Sequence, residues 1–94
     1  MEDIIYYNEL YDLYGDLLTE KQRKYFEDYY FHNLSFSEMA ENYEVSRNAA
    51  FKQLHIVLQK LDEYESILHL KEKRDKILDI LKDSDYFQKI EEIL

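Results

Sequence analysis

The stretch Leu34–Leu61, LSFSEMAENYEVSRNAAFKQLHIVLQKL, holds two helix starts separated by a connection of only a few residues. Ser35 and Glu38 make an S-x-x-E capping box: the serine oxygen accepts from a first-turn N–H, and the glutamate reaches back to the N–H of Ser35. Leu34 and Met39 flank that cap as a hydrophobic staple. The spacing predicts a helix over 36–43, with Met39, Ala40 and Tyr43 inward and Ser37, Glu41 and Asn42 outward. Ser46 is the next N-cap, with Val45 and Ala50 as a weaker staple, and Ala50, Leu54, Val57, Leu58 and Leu61 recur at intervals of three and four. Two helices joined this tightly read as a helix-turn-helix over about residues 35–61. The opposite face of its second helix carries Arg47, Asn48, Phe51, Lys52 and His55, where the recognition helix of such a motif meets bases and phosphates. Phe51 is the unusual member. On the outer face its ring could stack on an unpaired base, touch a thymine methyl or enter a pocket on a protein partner; a different helix rotation would put it in the core.

On the N-terminal side, Thr19 and Gln22 form a second capping box, and the helix from Glu20 to about Phe31 turns Phe26, Tyr29 and Tyr30 to the core. Lys21, Arg23 and Lys24 sit near its start, where positive charge opposes the helix dipole. They read either as auxiliary phosphate contacts, together with Lys60, or as part of a solvated face with Glu20, Glu27 and Asp28. An earlier helix, roughly Asp3 to Tyr14, spaces Ile4, Tyr7, Leu10, Tyr11, Tyr14 and Leu17 along one side, with Gly15 ending it. Seven of the ten tyrosines lie between Tyr6 and Tyr30. They form either a partner surface or a core with hydroxyls at its edge.

The run Leu17–Phe51, LLTEKQRKYFEDYYFHNLSFSEMAENYEVSRNAAF, resembles the YlxM-type family of small bacterial proteins, through LLTEKQR and the S-x-x-E-x-A…V-S-R pattern. The resemblance extends more loosely from about residue 3 to residue 70. It implies a fold similar to the sigma-factor region that reads promoter DNA (region 4), a nucleic-acid-binding or regulatory role, and a link to the signal recognition particle. That link rests on genes neighbouring those of the particle's GTPases. Where the family pattern usually has Gly in the turn, this chain has Glu44. A left-handed residue with a side chain costs on the order of 1 kcal/mol, so the turn is either built differently or strained.

Ninety-four residues make one domain of modest core. With no Pro, one Gly and frequent Leu, Ile, Lys and Glu, the chain is expected to be an all-α helical bundle with a C-terminal helical extension. The absence of Cys excludes disulfides and thiolate sites and fits a reducing cytoplasm. No leader or membrane span is apparent, so a cytoplasmic protein is expected. The net charge of −9 opposes simple binding to a polyanion. Its distribution is uneven: residues 1–18 carry five acids and no base, residues 35–45 three acids and no base, and residues 46–60 three bases and no acid. Lys71, Lys73, Arg74 and Lys76 make a further basic group.

The second motif helix has no breaker after Leu61, and Tyr64, Ile67 and Leu68 extend its apolar stripe to about His69. A helix over 71–82 with Ile77, Leu78 and Leu81 follows, then a short helix capped by Asp83 or Ser84 and holding Phe87, Ile90 and Leu94. These segments either fold back on the long helix or pair with a second copy as a homodimer.

Catalytic chemistry is not marked out. The i, i+4 pair Glu65 and His69 lacks companions for a metal site and reads as a solvated face, and His32 reads as a helix end. Serines read as caps, and no carboxylate pair stands in apolar surroundings. Neither enzyme activity nor a cofactor is expected. Two functions remain: a regulatory module binding DNA or RNA, signal-recognition-particle RNA included, or an adaptor whose acidic first helix (Glu2, Asp3, Glu9, Asp12, Asp16) binds a basic partner such as a targeting GTPase.

Overall fold

The structure is a computed structural model and describes residues 3–82 and 87–93. Its elements are α1 (Ile4–Tyr14), a 3-10 turn (Gly15–Leu17), α2 (Glu20–Tyr30), α3 (Phe36–Tyr43), α4 (Arg47–Leu68), α5 (Leu70–Leu81) and α6 (Phe87–Ile93), with no strand among the described residues. The fold is all-α, as the composition implies. The Asp83 or Ser84 cap, Leu94 and Glu2 lie outside the described residues.

Local sequence chemistry sets the helix starts. Asp3 caps α1 by accepting from Tyr6 N at 2.9 Å. Thr19 and Gln22 form the reciprocal box on α2, Thr19 Oγ1 accepting from Gln22 N at 3.1 Å and Thr19 N donating to Gln22 Oε1 at 2.9 Å. Gly15 ends α1, but with an ordinary right-handed backbone, φ −54°. Its use is space: a Cβ there would lie 3.2 Å from the Tyr11 ring.

The long helix α4 is the axis of the bundle, and α1, α2 and α3 all pack on it. Its stripe of Ala50, Leu54, Val57, Leu58 and Leu61 is buried, with Leu10, Tyr14, Leu18, Tyr25, Phe26, Met39 and Ala40 from the other elements. Removing this apolar area from water is the principal stabilising term, at roughly 25 cal/mol per Å². The helical wheel mislocates a few positions. Tyr25 is buried and Tyr29 and Tyr30 only half-buried, because α2 lies between two neighbours rather than against one. Leu18, not Leu17, enters the core, because the 3-10 turn shifts the phase. Ile67 is 68% exposed, because α4 outruns the helices packed on it.

The tyrosine cluster is neither wholly core nor free surface. Four hydroxyls reach carboxylates on other helices: Tyr7 donates to Asp62 at 2.8 Å and Tyr14 to Glu65 at 2.6 Å, tying α1 to α4, while Tyr11 donates to Glu27 and Tyr43 to Asp28, tying α1 and α3 to α2. Each ring buries its body and bonds its tip.

The junction of α4 and α5 is a bend at His69, φ 55°. Glu65 is not the solvated residue its spacing implies. Its Oε1 accepts from Lys71 N at 3.0 Å and its Oε2 from Glu72 N at 3.1 Å, while the Tyr14 hydroxyl accepts from Leu70 N at 3.0 Å. Orphan N–H groups at the start of α5 are thus satisfied by residues outside it. Burial pushes the Glu65 carboxyl up, but the bonds from Tyr14 and those two backbone N–H groups outweigh it and hold the pKa below the usual value. The bend turns α5 onto α1, not back along α4: Lys71 Nζ lies 3.0 Å and Arg74 3.5 Å from the Glu9 carboxylate, and Lys71 is 2.6 Å from Asp75. Lys76 pairs with Glu72 at 3.0 Å. Of the basic group 71–76, only Lys73 makes no ion pair among the described residues.

Burial first, and then the carboxylate each one faces, raises the hydroxyl pKa of Tyr7, Tyr11, Tyr14 and Tyr43 above its ordinary value. In the unfolded chain these groups ionise near pH 10, while the folded chain keeps their protons, so the unfolded state binds fewer protons above that pH and stability falls. The urea midpoint should therefore hold steady from neutral pH to about 10 and decline beyond it. Tyr7→Phe and Tyr43→Phe should make that decline shallower, as measured by circular dichroism across the alkaline range.

Candidate nucleic-acid interface

The pair α3 and α4 forms the helix-turn-helix. Ser35 Oγ accepts from Glu38 N at 3.1 Å and Ser35 N donates to Glu38 Oε1 at 3.0 Å. The Ser35 backbone N–H first, and the Ser35 hydroxyl second, hold the Glu38 carboxyl below its usual pKa. Met39 is fully buried and Leu34 packs against the same core, as a staple requires. Between the helices Glu44 takes the left-handed conformation, φ 55° and ψ 46°, while Val45 N donates to Ala40 O at 3.0 Å. This is the six-to-one bond of a Schellman ending, normally built on Gly. The turn keeps the geometry glycine would give it and carries the strain. Ser46 Oγ then accepts from Ala49 N at 3.0 Å and starts α4.

Past that cap, Arg47, Asn48, Phe51 and Lys52 are exposed and His55 is half-buried. Asn48, Lys52 and His55 lie away from the buried stripe and Phe51 at its flank. Arg47, three residues before Ala50 and seven before Leu54, shares the stripe's face but is exposed in the first turn of α4, a correction to the opposite face expected from the spacing. Phe51 is 43% exposed and is not a core residue. Its ring meets Phe36, the first residue of α3, edge-on at 5.1 Å and 72°, and His55 at 4.2 Å and 48°. A carbonyl only accepts, so the 3.1 Å contact between His55 Nδ1 and Phe51 O is a donation from the ring, which leaves Nε2 as the acceptor of the neutral form. Phe36 is itself stacked on Tyr29 at 5.1 Å and 20°. Phe36 and Tyr29 are supports that helical spacing does not reveal, because they reach Phe51 across two helix junctions.

The UPF0122 family, described as "Putative helix-turn-helix protein, YlxM / p13 like", matches residues 1–93. The chain belongs to this family. It is similar to a UPF0122 protein of Halalkalibacterium halodurans, 45% identical over 80 residues, 82% of this chain and 73% of the relative. A UPF0122 protein of Ureaplasma urealyticum is 42% identical over 87 residues, 89% of this chain and 88% of the relative. One of Geobacillus kaustophilus is 41% identical over 86 residues, 88% and 78% of the two chains.

In this UPF0122 protein the charges around the motif are unequal. Arg47, Lys52 and Lys60 make no ion pair among the described residues, in contrast to Lys71 and Arg74. Lys60 follows Arg47 by 13 positions, roughly 20 Å along α4 and about 220° round it, so it serves a different part of the surface. Lys21 and Lys24 are exposed, and Lys24 lies 3.8 Å from Glu20 in an exposed i, i+4 pair of little energetic weight. Arg23 is half-buried and close enough to Tyr11 to offset part of the rise in its hydroxyl pKa. No hydrogen bond or ion pair among the described residues links these three to α4. No described helix is long and apolar enough to cross a membrane, and no group of three or more His, Cys, Asp or Glu among the described residues could hold a metal ion.

If Glu44 carries left-handed strain, Glu44→Gly should raise unfolding free energy by about 0.5–1 kcal/mol, the strain relieved exceeding the added chain entropy. Glu44→Ala, which removes the charge and keeps the Cβ, should change it by less than about 0.5 kcal/mol. Urea titration of both variants separates strain from charge.

Proposed function

We propose that this protein is a regulatory module that binds nucleic acid through the N-terminal half of α4, with Arg47, Asn48, Phe51, Lys52 and His55 as the contact set. One observation carries the reading: four of these five residues are solvent-exposed, with His55 half-buried, and their two cations have no acidic partner among the described residues. Membership of a helix-turn-helix family supports it. Lys21, Lys24 and Lys60 supply longer-range attraction, and Arg23 a weaker share given its burial. On this reading the motif acts as a sigma region 4-like reader. Promoter-like duplex DNA and the RNA of the signal recognition particle are the two targets to compare.

Arg47→Ala with Lys52→Ala should weaken binding and reduce the slope of log affinity against log salt by about 0.9 per lost phosphate contact on duplex DNA. Fluorescence anisotropy from low to physiological salt measures it. An unchanged slope in the folded double variant would remove these residues from the interface.

A second reading draws on α1. Asp12 and Asp16 are exposed and make no ion pair among the described residues, whereas Glu9 is occupied by Lys71 and Arg74. An acidic face of this kind fits an adaptor binding a basic partner such as a targeting GTPase. Asp12→Lys with Asp16→Lys should then slow association with that GTPase by about tenfold at low salt and less at high salt. A rate indifferent to both changes would rule out the electrostatic adaptor. The exposed Ile77, Ile80 and Ile93 of α5 and α6 would be the face through which a homodimer forms.

A further inference from the structure

We infer that the Phe51–His55 ring pair is a stacking platform for an unpaired nucleobase, so that the preferred ligand is a loop, bulge or single strand rather than a continuous duplex. This rests on the nucleic-acid reading of α4 and specifies it.

The platform is preorganised. Phe51 is held at an edge by Phe36, which is stacked in turn on Tyr29, and His55 packs on it while tied to the Phe51 carbonyl. An aromatic ring that is both fixed and 43% exposed offers an apolar surface without the entropy cost of ordering it on binding. Asn48, one turn before Phe51, carries an amide with both donor and acceptor for a base edge, and the exposed Arg47 and Lys52, four residues before Phe51 and one after it, are the cations available to the phosphates flanking the stacked nucleotide. This combination matches the way single-stranded nucleic acid is held, on aromatic rings within a positive surface.

Charge argues against a duplex. In a duplex complex the first helix of the motif crosses the phosphate backbone. Here that helix and its turn present Glu38, Glu41 and Glu44, all exposed, and no basic residue. Duplex readers also draw their affinity from many phosphate contacts, and a chain of net charge −9 with two cations at the site makes few. Stacking does not depend on charge, and each stacked base contributes roughly 10- to 100-fold in affinity. The bases of a duplex have both faces covered by their neighbours, so Phe51 can use this term only on a base that is free of the stack.

The test uses the full chain and a hairpin with a uridine-rich loop, the same stem fully paired, and both again in DNA. Binding is measured by anisotropy, and a 5-iodouridine in the loop is photocrosslinked and the crosslinked peptide mapped. The hairpin loop should bind at least about tenfold more tightly than the paired stem and crosslink at Phe51 or His55. Phe51→Ala should lower loop affinity by about 10- to 100-fold without changing its salt slope, and Phe51→Tyr should retain it. If Phe51→Ala does not fold, the wild-type crosslink and the loop-to-stem ratio decide the matter. Equal binding of loop and stem with no crosslink on α4 would overturn the platform while leaving the electrostatic reading of Arg47 and Lys52 intact. Absence of binding to every probe at low salt would overturn both and leave the ring as a contact for a protein. The sugar arms separate RNA from single-stranded DNA.

Discussion

The burial of one side of α4 is the constraint from which the rest of the molecule follows. Ala50, Leu54, Val57, Leu58 and Leu61 share a stripe that α1, α2 and α3 cover together, so those helices are arranged around a common axis. A helix buried along one side shows the other to solvent. The direction in which α4 presents Asn48 and Lys52 is therefore set by the core, and the rigidity of the candidate interface is inherited from it.

An acidic chain of this size has to place many carboxylates, and the structure uses several of them as acceptors. Asp62, Glu65, Glu27 and Asp28 each take a tyrosine hydroxyl from another helix, and Glu65 also caps α5. A charged acceptor makes these bonds stronger than neutral ones, at about 1.5–3 kcal/mol. The tyrosines contribute ring area to the core and a directed bond at its rim, a double use that phenylalanine cannot match. The same economy disposes of the C-terminal basic group: Lys71 and Arg74 hold α5 against α1 through Glu9, which leaves the N-terminal half of α4 as the region where unpaired cations and an exposed ring coincide.

The candidate interface brings opposing features together within one motif. Positive charge and an aromatic platform lie on α4, while acidic side chains lie on α3 and in the turn. Glu44 concentrates the conflict, since it stands in a left-handed position that favours glycine and adds a negative charge beside the start of the recognition helix. Under the proposed function such a surface would discriminate among polyanions by where their phosphates fall, with charge repulsion on one helix contributing to selectivity alongside attraction on the other.

Helix identity and helix starts were legible in the residues themselves. Thr19, Ser35 and Ser46 cap as their spacing implies, the α4 stripe is buried, and Glu44 sits where a glycine is usual, because capping and periodicity are interactions between residues three or four apart. The exposure of Asn48 and Lys52 followed from the same periodicity, whereas Arg47, on the stripe's face, is exposed because it stands in the first turn of α4. Pairings of distant residues were not legible: Tyr14 and Glu65 at the start of α5, Lys71 and Arg74 on Glu9, and Phe36 against Phe51. A helical wheel has no information on which neighbour covers which sector, so it placed Ile67 inward and missed Tyr25 and Leu18. By itself, then, the sequence determined which segments are helical, where they begin and which side of α4 is apolar, since those are short-range free energies. Only the tertiary structure decided which carboxylates and cations are spent inside the bundle and which remain exposed at α4, since that depends on contacts between residues far apart in the chain.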